Sequence, residues 1–295
     1  MANNQYQIQW FPGHMAKTRR LMAESLPDVD VVLELLDARI PESSKNPEIE
    51  KILGNKPTVT LLTKSSLADP AVSAMWREEY RRRGRVCVPV DSITGDGITA
   101  LQDAIRTLMA DKLARYREKG MEGRRLKLMT VGIPNVGKSS LINRLAGGKH
   151  AKVENRPGVT LTKQWVSTSI GFSLLDMPGV LWPKFDDPTV GENLAITGAI
   201  RDGILDVEEI AMVLCTRLVK IAPDAFLTRY RLTEEEIADK DGYDLLELVG
   251  RKRGFLMAGG AVNLRRAAET LLDEFRSATI GRISLEKPRG GTSHA

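Results

Sequence analysis

Cysteine, histidine and aromatic residues are scarce in this 295-residue chain, which has two cysteines, three histidines and 5% aromatic residues. Cys87 and Cys215 lie far apart without CxxC spacing, which excludes a disulfide scaffold and a cysteine-based zinc finger and is typical of a reducing compartment. No apolar stretch approaches the roughly 18 residues of a membrane-spanning helix. The first residues lack the basic and apolar regions of a secretory signal. We therefore expect a cytoplasmic protein without a membrane partner.

Charge is plentiful but unevenly distributed. The chain has 43 Lys/Arg and 38 Asp/Glu, a net charge of +5, yet residues 1–191 carry 28 basic against 21 acidic residues and residues 192–280 carry 12 against 16. Basic clusters occur at residues 17–20, 81–85 and 112–127. A solvated surface is the ordinary explanation for any one of them, but basic clusters also neutralise nucleic-acid phosphates. Three in one part of the chain favour an anionic polymer as partner.

Hydrophobic patterning predicts two domains. Short apolar runs predict strands at residues 31–37, 58–62, 86–90 and 126–132, with a strand pair over 165–176 that turns near Gly171. Helical patterns fall between these strands at residues 70–84, 98–113 and 137–146. The polar residues 116–125, which follow the second helix, are predicted to form a linker. This alternation predicts an α/β domain over residues 1–185, with a mostly parallel sheet and helices on both faces. Residues 192–280 show only helical patterns, with capping signals at Thr233 and Asn263, and predict a small all-α domain before a tail at 281–295.

One motif predicts a nucleoside triphosphate site. Residues 132–139 read GIPNVGKS and match G-x-x-x-x-G-K-[ST] between a predicted strand and a predicted helix. Backbone N–H groups of such a loop surround the phosphates, while the lysine contacts the β and γ oxygens and the serine hydroxyl ligates Mg²⁺. Lys138 would also stabilise charge during phosphoryl transfer, which makes it a catalytic candidate. The predicted phosphate-binding set is Asn135, Val136, Gly137, Lys138, Ser139 and Ser140.

Two further segments complete a predicted metal and γ-phosphate site. Residues 176–179 read DMPG at the end of a strand, where Asp176 can hold Mg²⁺ through water and the Gly179 N–H can contact the γ-phosphate. Residues 157–160 read PGVT in a loop that could bring the Thr160 hydroxyl to the metal, with Thr162 as the competing residue. The predicted metal ligands are therefore Ser139, Thr160 and Asp176.

The order of these motifs resembles that of circularly permuted GTPases. The three segments resemble the G1, G2 and G3 motifs of translation-factor-type GTPases, but fewer than 120 residues follow Gly179 and they have helical patterns. The base-reading loop is therefore expected upstream. Residues 61–67, LLTKSSL, stand where a strand–[NT]-K-x-D loop belongs, and residues 90–95, VDSITG, stand in the position of G5. The resulting order is G4–G5–G1–G2–G3.

The flanking segments narrow the resemblance. WFPGHMAK at residues 10–17, DAR at 37–39, RKRGFLM at 251–257 and GRISL at 281–285 are similar to segments of the ribosome biogenesis GTPase A (YlqF/RbgA) family. The resemblance implies a circularly permuted P-loop GTPase fold that hydrolyses GTP to GDP with Mg²⁺. It also implies a role in maturing the large ribosomal subunit, with the subunit precursor and rRNA as partners. We expect a monomer away from the ribosome.

The resemblance also implies a catalytic residue and a second cation. The residue after DxxG, a glutamine in many small GTPases, is Val180 here, which cannot orient water. The family is thought to use a histidine of the N-terminal arm instead, and the matching residue is His14. His14 could alternatively contact RNA together with Trp10 and Phe11. Asn135 resembles the residue that ligates K⁺ in potassium-stimulated relatives, although asparagine beside proline is also good turn chemistry.

The base-reading loop departs from the family pattern N-K-x-D. It reads Thr63-Lys64-Ser65-Ser66, so a neutral hydroxyl stands where a carboxylate accepts two hydrogen bonds from guanine. We expect guanine affinity to fall by about one to two decades, with Lys64 and the backbone at Ser92 still holding the base. Two alternatives remain open at this point: a nucleotide-gated rRNA-binding module with little hydrolysis, and a P-loop ATPase unrelated to ribosomes.

Overall fold

The structure is a computed structural model that describes residues 12–147, 165–182 and 185–288. Its strands are β1 (Val31–Asp37), β2 (Thr58–Thr63), β3 (Val86–Pro89), β4 (Lys127–Gly132), β5 (Trp165–Ser167) and β6 (Ser173–Asp176). Within the described residues they form one sheet of order β3-β2-β1-β4-β6-β5. Every neighbouring pair is parallel except the β5–β6 hairpin, which is antiparallel. The predicted, mostly parallel sheet is thus confirmed.

Helices cover both faces of this sheet. They are α1 (Pro12–Ser25), α2 (Pro47–Leu53), α3 (Pro70–Arg82), α4 (Ile98–Leu108), α5 (Ala110–Glu118) and α6 (Lys138–Leu145). Successive strand side chains point to opposite faces. Leu33 accordingly packs in one core with Leu101 of α4, whereas Val32 packs in another with Met22 of α1. Burial on both faces explains why these strands are continuous apolar runs without polar alternation.

The helix predicted over residues 98–113 and the linker predicted over 116–125 were partly wrong. The chain forms two helices separated at Met109, whose backbone lies outside the helical region at φ −109° and ψ 18°. Helix α5 then continues through Tyr116 to Glu118, which polarity alone did not indicate. The Tyr116 ring contacts Lys112 within α5 and Arg124 beyond it, with cation–ring distances of 5.8 and 5.0 Å. Leu113 and Tyr116 are also half-buried and pack against the main core, so this mostly polar stretch has a narrow apolar face.

The remaining described helices are α7 (Pro188–Ile196), α8 (Val207–Ile221), α9 (Pro223–Tyr230), α10 (Glu234–Ile237), α11 (Gly242–Lys252) and α12 (Leu264–Arg276). Helices α8, α9, α11 and α12 share a second core that contains Leu214, Phe226, Leu246 and Leu271. Thr233 forms the predicted capping box with Glu236, and Asn263 caps α12. The exact domain boundaries stay a prediction. Among the described residues, none of the helices is long and apolar enough to cross a membrane.

Residues 281–288, here called the C-terminal strap, run back from α12 to the sheet. The Leu285 N–H donates to the Arg39 carbonyl at 2.9 Å, just beyond β1. The indole of Trp76 in α3 donates to the Glu286 carbonyl at 3.2 Å. The Glu286 carboxylate accepts hydrogen bonds from the Glu42 N–H and from the side-chain amide of Asn193, at 2.8 and 2.9 Å. The strap therefore contacts the same end of the sheet where the sequence motifs converge.

Candidate nucleotide-binding site

The sheet order brings the separated motifs to one edge. Strands β3, β2, β1, β4 and β6 are parallel, so their carboxyl ends lie side by side. The predicted base-reading loop follows β2, the predicted G5 loop follows β3, the GKS loop follows β4 and the DMPG segment follows β6. In open α/β sheets this edge is where ligands bind. The permuted chain order therefore leaves the spatial arrangement of a nucleotide site intact.

The loop between β4 and α6 has the backbone of a phosphate cradle. Gly132, Asn135 and Gly137 have φ values of 153°, 55° and 104°. A side chain at Gly132 would place its Cβ 2.7 Å from the Leu35 carbonyl oxygen, so only glycine fits between β4 and β1. Asparagine tolerates the left-handed region better than most residues, which explains Asn135 at that position. Lys138 and Ser139 then open α6, whose N-terminus carries the partial positive charge that attracts phosphate.

The Lys138 ammonium is held over its own loop. Its Nζ donates to the carbonyl oxygens of Gly132 and Ile133 at 3.2 and 2.6 Å, and the residue is only 8% exposed. Burial lowers the pKa of Lys138 to about 8, with Lys64 adding to the effect and Asp176 opposing it. The site therefore holds a partly destabilised cation that an anionic phosphate would stabilise.

The DMPG segment packs directly against the phosphate loop. A Cβ on Gly179 would lie 2.7 Å from the Pro134 nitrogen and 2.8 Å from Lys138 Nζ. The Val180 N–H donates to the Gly132 carbonyl at 3.2 Å. The Val180 carbonyl accepts a hydrogen bond from the side-chain amide of Asn46 at 2.8 Å. Glycine at position 179 thus allows a close approach of the two loops. The side chain of Val180 is buried, consistent with the prediction that it does not orient water.

Asp176 lies beside the phosphate loop with a perturbed carboxylate. Thr130 Oγ1 lies 3.5 Å from its Oδ1. Part of the Asp176 side chain is exposed to solvent. The surrounding protein nevertheless desolvates its carboxyl group and raises the pKa of Asp176, although the Lys138 charge and the Thr130 hydrogen bond act in the opposite direction. A cation beside this carboxylate would stabilise the ionised form. The donor set of Asp176 and the half-buried Ser139, both oxygen ligands, fits Mg²⁺.

The predicted base-reading loop is fixed to the phosphate loop by Thr63. Its Oγ1 lies 2.9 Å from the Leu36 carbonyl and 2.6 Å from the Val136 carbonyl, so the hydroxyl joins β1 and the phosphate loop. Lys64 follows with a left-handed backbone, and its Nζ lies 3.0 Å from Asp37 Oδ2. Threonine at position 63 therefore retains a loop-fixing function even though it lacks the amide of asparagine.

Asp37 and Arg39, the two charged residues of the DAR segment, form a buried ion pair whose partners were not evident from the sequence. Arg39 donates through Nε and Nη2 to the two oxygens of Asp37, at 2.9 and 2.8 Å. Burial would raise the pKa of Asp37, but Arg39 and Lys64 hold it well below its ordinary value. The guanidinium also lies 5.7 Å from the Phe275 ring centroid of α12. The pair thereby connects the base-reading loop to the helical part of the chain.

Ser66 makes a contact that sequence reasoning missed. Its hydroxyl donates to Oδ2 of Asp91, the second residue of the predicted G5 loop. Asp91 Oδ1 accepts from the N–H groups of Ile93 and Thr94 at 2.8 and 3.0 Å. Asp69, the other nearby acid, instead caps α3. An acidic residue two positions after the end of β3 was visible in the sequence, but only the fold places it against Ser66.

The other predicted ligands are distributed as follows. The Ser92 carbonyl accepts from Arg144 Nε of α6 at 2.9 Å, which ties the G5 loop to the phosphate-loop helix. The side-chain amide of Asn135 donates to the Gly198 carbonyl at 2.9 Å, and Ser140 is exposed on α6. Thr160 lies outside the described residues. The backbone of His14 belongs to the first turn of α1, but its side chain lies outside the described part.

Curated proteins resemble the chain over nearly its full length. Ribosome biogenesis GTPase A of Priestia megaterium is 45% identical over 282 residues, covering 95% of this chain and 97% of that protein. The Bacillus licheniformis protein of the same name is 44% identical, covering 95% and 98%. Mitochondrial ribosome-associated GTPase 1 of Mus musculus is 32% identical, covering 95% and 90%.

Solved structures and a family model also resemble the chain. A GDP-bound YlqF structure is 23% identical and covers 91% of this chain and 99% of its own, with a TM-score of 0.63. A GNP-bound YlqF from T. maritima is 24% identical and covers 93% and 100%, with the same TM-score. At this identity they establish the fold, which confirms the predicted fold class. The family described as 50S ribosome-binding GTPase matches residues 127–223. Identity and coverage together show that the chain belongs to the ribosome biogenesis GTPase A family.

Proposed function

We propose that this chain hydrolyses GTP to GDP and phosphate during assembly of the large ribosomal subunit. The observation that carries the proposal is the convergence of Lys138, Asp176 and Gly179 with the loop that starts at Thr63, at one edge of the sheet. The names of the relatives, which describe ribosome-associated GTPases, support the same activity. Neither the nucleotide-gated rRNA-binding module with little hydrolysis nor the P-loop ATPase unrelated to ribosomes is favoured.

The phosphate end of the nucleotide would be bound by the loop of residues 132–140. Lys138 would leave its two carbonyl partners for the β- and γ-phosphate oxygens, and the N–H groups from Asn135 to Ser140 would surround the β-phosphate. Ser139, Asp176 and Thr160 would hold Mg²⁺, which when bound neutralises charge on the β and γ oxygens. The N–H of Gly179, whose Cα packs closely against Lys138, would contact the γ-phosphate.

The attacking water requires a group that Val180 does not supply. We assign this role to His14, in the first turn of α1, because a neutral imidazole can orient water or accept its proton. K⁺ bound by the Asn135 side-chain oxygen is the corresponding proposal for the second cation. The side-chain amide of Asn135 is already oriented, because its NH₂ group donates a hydrogen bond to the Gly198 carbonyl. Replacing K⁺ by Na⁺ in the assay tests that part separately.

The partner would be the large-subunit precursor, contacted through rRNA. The excess of basic residues in the first 191 positions suits a phosphate-rich surface. We propose that the protein acts as a cytoplasmic monomer away from the ribosome. Nucleotide binding would alter the helical part through two contacts, Asn135 with Gly198 and Arg39 with Thr197, the second at 3.4 Å. Ordering of the segment around Asp176 by the γ-phosphate would then be transmitted to α7.

Phosphate release from GTP, measured with and without large ribosomal subunits, tests the proposal. We expect hydrolysis that subunits stimulate and that excess ATP does not inhibit. Lys138→Ala and Ser139→Ala should each abolish tight triphosphate binding or turnover, whereas Lys220→Ala, an exposed lysine of α8, should not. Unchanged turnover in both site variants would contradict the assignment.

A further inference from the structure

The position that reads guanine in the family pattern holds a serine whose proton is already used. Ser66 donates its hydroxyl proton to Asp91 Oδ2, and its backbone N–H lies 3.4 Å from the same oxygen. Asp91 is 2% exposed, whereas Ser66 is half-buried at the edge where the base would lie. The carboxylate that the loop lacks at position 66 is thus present one layer deeper, on the neighbouring strand end.

Asp91 cannot turn away from Ser66 without breaking its own loop. Its Oδ1 accepts from the N–H groups of Ile93 and Thr94, so Oδ2 is the oxygen that remains for Ser66. Burial would raise the pKa of Asp91, but the hydrogen bonds from Ser66, Thr94 and Ile93 hold it below its ordinary value. At neutral pH the group is therefore an ionised carboxylate, which can only accept hydrogen bonds.

A hydroxyl has one proton and two lone pairs. Because the proton of Ser66 is committed to Asp91, the side that faces away from Asp91 can only accept a hydrogen bond. Donation to a carboxylate also polarises the hydroxyl and strengthens it as an acceptor. Guanine presents N1–H and N2–H₂ donors on its edge, whereas xanthine presents a carbonyl in place of the amine. Such an acceptor favours the first base and repels the second.

We propose that Ser66 and Asp91 together replace the single carboxylate that reads guanine, with Ser66 as the contacting acceptor and Asp91 as the positioning residue that fixes its polarity. This inference rests on the proposed function, since it takes a guanine nucleotide to be the ligand. It replaces the expectation from sequence that the departure at Ser66 simply removes a charged acceptor.

The Asp91→Asn variant tests the polarity directly. The asparagine oxygen should keep the two loop N–H groups, which turns its NH₂ toward Ser66. Ser66 must then accept, and its proton becomes free to point at the base. We expect the preference for GDP over XDP, measured as a ratio of dissociation constants with the full chain, to fall by about 10- to 100-fold. Asp96→Asn, an exposed acid of the same loop, should leave the ratio unchanged.

Two further variants keep the test decisive if Asp91→Asn folds poorly. Ser66→Ala should weaken GDP binding by about tenfold and reduce the preference for GDP over IDP, which lacks the amine, without improving XDP binding. Ser66→Asp alone should gain little, because it places two carboxylates together, whereas Ser66→Asp combined with Asp91→Ser should bind GDP at least as well as the unmodified chain.

The outcomes separate this inference from the proposed function. An unmodified chain that binds ADP as well as GDP contradicts the proposed function itself. A chain that prefers GDP, together with an Asp91→Asn variant of unchanged GDP-to-XDP ratio, overturns the role of Asp91 alone. An equal loss of affinity for GDP, IDP and XDP would likewise overturn it, because a merely structural role weakens all three alike.

Discussion

At the scale of single residues, the nucleotide site depends on groups whose protonation is coupled to the ligand. Lys138 is buried against two carbonyl oxygens with a pKa of about 8, and a phosphate beside it would raise that pKa. Binding above pH 8 must therefore be accompanied by uptake of a proton. The affinity for nucleotide is consequently linked to pH through this one side chain.

We expect GDP affinity to fall by about tenfold between pH 7 and pH 9, because the free ammonium is progressively lost while the bound one is retained. Titration of a fluorescent GDP across this range measures the effect. Lys138→Arg keeps its charge at every pH used, so its affinity should stay nearly constant however weak it is. Any ionisation of the nucleotide affects both proteins equally. Parallel pH profiles would contradict the coupling.

His14 allows a kinetic test of the proposed water-orienting role. His14→Ala should reduce the maximal subunit-stimulated rate by about 10²–10⁴, the range for a positioned acid–base group, with little change in nucleotide affinity. A histidine that instead contacts rRNA would shift the subunit concentration at half-saturation and leave the maximal rate intact. Phosphate release measured over a range of subunit concentrations distinguishes the two roles, and a full maximal rate would rule out the catalytic one.

At the scale of elements, α12 is joined to its neighbours by one buried carboxylate. Glu274 accepts from Arg229 Nε of α9 at 3.0 Å, from the Tyr230 hydroxyl at 2.8 Å and from Arg253 at 2.8 Å. Burial would raise the pKa of Glu274, but these donors hold it below its ordinary value. The ionised form is therefore stabilised by folding.

Glu274→Ala should lower the free energy of unfolding by about 1–3 kcal/mol, because the buried Tyr230 hydroxyl and two partly exposed guanidinium groups lose their shared acceptor. Denaturant unfolding measures this loss, and Glu269→Ala, which removes an exposed pair with Arg265, is the matched control. Since the folded-state pKa is depressed, the stabilisation is present above the unfolded value of about 4.3 and is lost as pH falls through the folded value. A Glu274→Gln variant should lack that part of the acid-induced destabilisation.

At the scale of the whole molecule, the C-terminal strap connects the chain's last described residues to the base-reading loop. Arg282 donates to the carbonyls of Ser65 and Ala68, at 2.9 and 3.0 Å, on either side of Ser66. The Ser284 hydroxyl accepts from the Asp69 N–H at 3.2 Å. The C-terminal strap thus contributes contacts that hold the loop proposed to read the base.

Arg282→Ala should weaken GDP binding by about three- to tenfold, since two charge-assisted hydrogen bonds that order the loop are lost. The GDP-to-XDP ratio should change little, because Ser66 and Asp91 are untouched. Arg265→Ala, an exposed arginine on α12, removes the same charge without touching the loop. Hydrogen exchange of residues 63–69 should rise in the first variant and not in the second. Unaltered exchange in both would show that the loop is ordered without the strap.

Much of the architecture follows from patterns between near neighbours in the chain. The strand at Val31–Asp37, the GKS loop before α6 and the capping residues Thr233 and Asn263 all lie where the sequence predicted them. Each depends on short-range effects: burial of consecutive side chains, the backbone freedom of glycine, or a side chain that caps a helix two or three residues away. The same short range explains the errors at Met109 and Tyr116, where distant packing was invisible.

The sequence by itself determined the phosphate loop, the permuted motif order and the family, because each is a property of consecutive residues. Only the tertiary structure decided which residues surround the loop that is proposed to bind the base. Ser66 meets Asp91 across 25 positions, and Arg282 meets Ser65 across 217. Such pairs depend on which strand ends become neighbours and on which oxygen of a carboxylate the loop has already occupied. A neutral serine could therefore be recognised in the sequence as a departure, but its hydrogen-bonding polarity was set only when the sheet placed a buried carboxylate behind it.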